Sequence, residues 1–140
     1  MKTVLAVIVG VLVGSALNIG LIIAGPEIIP IPEGVDPTDP ESLAAGMPDF
    51  KPRHFIFPFL AHALGTLVGA GIGAKIAGSP KPAYFIGGWF LLGGTVNVII
   101  LPAPLWFEVM DLVLAYIPMA AVAAMLGKSA EDDGPGETPE

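Results

Sequence analysis

"PFLAHALGTLVGAGIGAK", residues 58–75, decides the fold. It carries no acid, and its only ionisable side chains are His62 and the closing Lys75. Continued back to Phe55, the run is long enough to cross about 30 Å of hydrocarbon as a helix rising about 1.5 Å per residue. Gly65, Gly69 and Gly73 form a GxxxGxxxG pattern on one helical face, and small residues mark where membrane helices approach closely. His62 and Thr66 share that face. A ring nitrogen is costly in hydrocarbon, so this histidine points into a helix bundle and not at lipid.

Three further apolar runs complete the pattern. Helices are expected over about 3–24, 55–77, 83–101 and 105–126, each close to the roughly 20 residues that a membrane span needs. Lipid offers backbone groups no hydrogen bonds, so each run is read as a helix and the chain as an all-α, four-helix, up-down membrane bundle. The first run is longer than a signal peptide's usual apolar core of about 7–15 residues and lacks an A-x-A site, which gives an uncleaved first helix. Composition agrees. Hydrophobic residues make up 54% and charged residues 14% of the 140, against about 25% charged in a soluble domain. Such a chain has too little polar surface to coat a soluble globule. There is no cysteine, which excludes disulfides, thiolate metal sites and cysteine nucleophiles. The net charge of −7 with six Lys plus Arg leaves no basic patch for nucleic acid. The lipid bilayer is the expected partner.

The connections set an orientation. Lys2, Lys75, Lys81 and Lys128 fall on one side, against Lys51 and Arg53 on the other. The positive-inside rule then puts both termini in the cytoplasm and the acidic loop 25–54 outside. Trp106, Phe107, Phe55 and Phe57 fall near the outer interface and Tyr84 near the inner one. Loop 25–54 holds seven prolines and six acids, so it reads as an ordered cover, either a lid over a site or a plug over helix ends. Within it "TDPESLAAG" (38–46) predicts one short helix, capped by Asp39 with Pro40 first, or by a Thr38–Glu41 capping box. Residues 129–140, acidic and rich in Gly and Pro, are expected to be a disordered cytoplasmic tail.

With this topology each helix brings one strongly polar side chain to one level. Asn18, His62, Asn97 and Asp111 all fall roughly 6–11 Å beneath the outer boundary. Glu108 lies one turn above Asp111 on the same face. These five are the candidate ligand- or ion-binding residues. Gly10, Gly14, Gly65, Gly69, Gly73, Gly93 and Gly94 are the candidate helix-packing residues. Pro118 cannot bond to the Leu114 carbonyl and is expected to kink the fourth helix. Tyr116 lies off the acidic face and reads as core. His62, Asp111 and Glu108 make an N/O ligand set, but no second histidine completes a recognised metal spacing. No nucleophile–base order or phosphate-binding glycine loop is present.

Three segments, "EGVD" (33–36), "HFIFPFLAHALGTLVGA" (54–70) and "LPAPLWFEVMDLVLAYIPM" (101–119), resemble an uncharacterised group of small four-helix bacterial integral membrane proteins. The resemblance covers most of the chain apart from the tail, and it implies a bacterial inner membrane without implying an activity or a cofactor.

Three functional classes stay open at this point. The leading one is an outward-facing polar pocket that binds or translocates an ion, a proton or a small polar solute. Against full translocation, the inner half, including "VLAVIVG" (4–10) and "PMAAVAAML" (118–126), is nearly all apolar. The second is a structural or partner-binding subunit packed through its glycine faces, for which self-association is compatible. The third, and weakest, is a lipid-acting enzyme with His62 as base and Asp111 as its orienter.

Overall fold

The computed structural model describes the backbone of residues 1–132 and side chains as far as Leu126. Most of the expected tail, 133–140, lies outside the described residues. The described chain is all helical: α1 (Lys2–Ile28), α2 (Pro40–Gly46), α3 (Ile56–Ala77), α4 (Lys81–Ile100), α5 (Leu105–Leu114) and α6 (Ile117–Asp132), with 3-10 turns at Met47–Asp49 and Pro52–Phe55. Four segments are long and apolar enough to cross a membrane: Lys2–Ile28, Pro52–Ala77, Lys81–Ile100 and Leu105–Leu126.

The α1–α3 pair is the tightest element of the fold, and glycine makes it so. A Cβ on Gly10 would stand 2.6 Å from the Gly69 carbonyl oxygen, and one on Gly14 2.6 Å from that of Gly65. Rising numbers on α1 meet falling numbers on α3, so the two helices run in opposite directions. Beneath this contact an alanine-rich core, Ala70, Ala74, Ala83, Ala120, Ala123 and Ala124 around Ile86, binds α3 to α4 and α6. Gly73 makes room for the Ile86 side chain, and Gly87 on α4 for Ala120 of α6. Outward-facing positions carry large apolar side chains such as Ile8, Leu12, Phe85, Trp89 and Val113.

Four features differ from the sequence reading, each for a local reason. α1 continues through Pro26 to Ile28, four residues past its expected end. Gly25 is buried against the Phe57 side chain, and the Ile29 amide closes the helix on the Gly25 carbonyl. The fourth apolar run is two helices, not one kinked helix. It breaks at 115–116, immediately before the Ile117–Pro118 step, where the proline removes a helical donor and disfavours helical backbone at the residue before it. α6 runs to Asp132, so the backbone of 129–132 continues the helix where a tail was expected. Gly93 is not a packing residue: it is exposed, and a Cβ there would meet nothing within 4 Å.

The 25–54 segment is ordered. Asp39 caps α2 by accepting the Glu41 amide, with Pro40 in the first turn. Thr38 does not form the alternative box. Its hydroxyl and amide both donate to Asp36 Oδ1, at 2.7 and 2.8 Å, and these bonds hold the Asp36 carboxyl below the usual carboxylate range. A carboxyl depressed in this way stabilises the fold above its ordinary value of 3.8, and the contribution disappears as pH falls through the depressed value. Thr38→Val removes the hydroxyl, so Asp36 should titrate higher in the variant than in the wild type. Carboxyl chemical shifts followed by NMR check this; identical titrations would mean the hydroxyl bond is not formed.

A buried His–Asp–Tyr array beneath the loop

His62 projects from the glycine face of α3 toward α5. Its Nδ1 lies 2.9 Å from Oδ1 and 2.8 Å from Oδ2 of Asp111. Asp111 is buried, 3% exposed, and its remaining partner is the Tyr116 hydroxyl, which donates to Oδ2 at 2.9 Å. The imidazole and phenol rings stack with centroids 5.7 Å apart. One carboxylate therefore takes two donors from two elements. Because Nδ1–H is committed to Asp111, Nε2 is the ring atom left to the solvent side. It accepts a hydrogen bond when the imidazole is neutral and donates one when it is protonated.

Tyr116 is the site residue that the sequence reading missed. On a continuous helix it would project well away from Asp111. The break at 115–116 redirects the chain and brings its hydroxyl back onto the carboxylate. Gly94 of α4 provides the space: a Cβ there would lie 2.5 Å from Tyr116 Cζ. Pro118, two residues on, was the available signal that helical geometry could not be extrapolated to this position.

His62 and Asp111 form part of the wall of a cavity of about 350 Å³. Asn18, His62, Asn97, Glu108 and Asp111 all line it, so the structure gathers every candidate polar residue around one space. They are not one hydrogen-bonded cluster. Glu108 turns one oxygen back to the Ala103 amide at 3.1 Å, which braces the turn into α5. The Asn18 and Asn97 amides make no side-chain hydrogen bond among the described residues. The remaining walls are apolar. Ile29, Ile31, Leu43, Met47 and Phe50 line the cavity from the 25–54 segment, so that segment covers it. Phe50, Phe55, Trp106 and Phe107 interlock with centroid separations of 4.7–6.0 Å and tie the cover to α5.

His54 is a second residue that the sequence reading passed over. It is buried, lines the cavity, accepts the Lys51 amide at Nδ1 (3.0 Å), and meets Phe50 edge to face at 5.3 Å. Toward the Lys75 end of α3 the polar column stops one turn from His62. Thr66 is buried with its hydroxyl unpartnered among the described residues. Beyond it α3 presents only Gly69, Ala70, Gly73 and Ala74 to the interior. Among the described residues no group of three or more His, Cys, Asp or Glu side chains stands close enough to hold a metal ion.

Tyr116→Phe deletes one donor to Asp111 while keeping the ring in place. A hydrogen bond to a charged acceptor is worth roughly 1.5–3 kcal/mol, so the variant should melt measurably lower, by about 1.5 kcal/mol. No loss on thermal unfolding in lipid nanodiscs would mean that the phenol merely fills space.

Comparison with protein-family models, curated proteins and solved structures finds no match to this chain.

Proposed function

We propose that the chain is a multi-pass membrane protein of the cell (inner) membrane. Its four spans run up and down, both termini are cytoplasmic, and its outward-facing pocket binds an ion, a proton or a small polar solute. Four segments long and apolar enough to span and the four-against-two bias of Lys and Arg between their ends support insertion in this sense. The observation that carries the pocket is the His62–Asp111–Tyr116 array at the wall of a roofed cavity. A carboxylate that fixes one ring nitrogen of a histidine and leaves the other free is the arrangement used wherever an imidazole must exchange a proton or hold a ligand. Binding is better supported than passage across the membrane, because among the described residues no buried polar side chain lies beyond Thr66 toward the Lys75 end of α3.

The test is thermal unfolding in nanodiscs. Wild type, His62→Leu and Asp111→Asn are compared. Each is measured with and without added divalent cation, and the pocket reading expects the cation to shift the wild type and neither variant.

A second reading has a specific observation behind it. Asp111 already accepts from two protein donors, and the glycine contact of α1 with α3 is tight, as in a purely structural subunit. That reading expects the three proteins to respond to the cation alike, with the variants merely melting lower.

A further inference from the structure

The array has a second opening. A cleft of about 270 Å³ separates α1 from α4, helices that touch only sparingly. Ser15, Phe90 and Gly93 line it, and it shares Asn18, His62 and Asn97 with the roofed cavity. Its rim is polar where a membrane-facing surface should not be. Asn97 is exposed on α4, and the Ser15, Asn18 and Asn97 side chains make no hydrogen bond among the described residues. An unsatisfied amide facing hydrocarbon costs several kcal/mol. Gly93 keeps the cleft open, since the space where a side chain would stand is empty.

From this geometry we infer that the ligand is a single-chain amphiphile that enters sideways from the outer leaflet. The inference rests on the pocket reading above and names its substrate class. The polar head lies where cleft and cavity join, against His62 Nε2 and the Asn18 and Asn97 amides. The chain lies in the apolar chamber under Ile29, Leu43, Met47 and Phe50. The lining holds Glu108 and Asp111 but no Lys or Arg, so it takes an uncharged, hydroxyl-bearing head in preference to an anionic one.

The test uses the full chain in phosphatidylcholine nanodiscs with a monoacylglycerol carrying a photoreactive group at its chain end, and adducts are mapped by mass spectrometry. Adducts are expected within 29–50 as well as on the lipid-facing helix surfaces, and a fatty-acid analogue should give far fewer in 29–50. Gly93→Leu should lower labelling of 29–50 about tenfold by closing the cleft, and His62→Leu by a similar factor through loss of the head-group bond. Gly88→Leu, on the same helix and also facing open space, should leave it unchanged. Labelling confined to lipid-facing positions, or labelling of 29–50 indifferent to Gly93→Leu, overturns the inference. In that event Asn18→Cys separates the two levels. If it still reacts with a water-soluble thiol reagent from outside, the pocket stands and only the amphiphile falls. If it does not, both fall.

Discussion

Gly69→Leu should separate α1 from α3 and lose the folded bundle. Even the first atom of a side chain at this position would lie 2.5 Å from the Gly10 carbonyl oxygen and 3.1 Å from the Gly14 Cα. Both obstacles are backbone, so no rotamer change can relieve them. The only response is displacement of α1, which gives up the Gly10, Gly14, Gly65 and Gly69 contacts together. Overpacking a core costs about 1–3 kcal/mol when side chains can adjust, and here the cost should lie beyond the top of that range. Gly88→Leu is the matched control. It faces open space and gains about 1 kcal/mol of helix propensity, so it should melt no lower than the wild type. Thermal unfolding of the two variants side by side checks the pair. Equal stability would mean that the glycine contact does not hold α1 in place.

Asp111→Leu should be the most damaging single change at the site, at about 3 kcal/mol. It removes the acceptor of both the His62 and the Tyr116 bonds and strands two donors in a buried place. Breaking one side of a buried polar pair costs about 3–5 kcal/mol, whereas replacing all partners by apolar groups of similar shape is often nearly neutral. The triple variant Asp111→Leu, His62→Leu, Tyr116→Phe should therefore recover most of the stability and bind nothing. Asp111→Asn, which keeps one acceptor oxygen, should fall between wild type and Asp111→Leu. If the triple variant is as unstable as Asp111→Leu, the loss comes from shape at position 111 and not from orphaned donors.

The spans and the tight helix pair were legible in the sequence because both depend on periodicity. Apolar length gives a span, and GxxxGxxxG on α3 opposite Gly10 and Gly14 gives an interface. The shared cavity was legible for the same reason: polar residues on glycine-bearing faces line one space. What could not be read was everything that depends on a departure from regular helix. Tyr116 reaches Asp111 only because the helix breaks at 115–116. Gly93 and Gly94 are neighbours in sequence, yet one opens a cleft and the other seats the tyrosine ring. Their opposite roles follow from the rotation of α4 against its neighbours, which composition does not encode. His54 was hidden because its partner, the Lys51 amide, belongs to a 3-10 turn fixed by tertiary packing.

An outward-facing pocket that reaches the His62 level is the central claim, and the absence of cysteine makes it directly measurable. Asn18→Cys, within the cavity, and Ser79→Cys, in the turn between α3 and α4, are each treated with a small membrane-impermeant thiol reagent in sealed right-side-out vesicles. The pocket predicts that Asn18→Cys is modified from outside, while Ser79→Cys reacts only after the membrane is opened. Modification of Ser79→Cys in the sealed vesicles, with Asn18→Cys untouched, would contradict it.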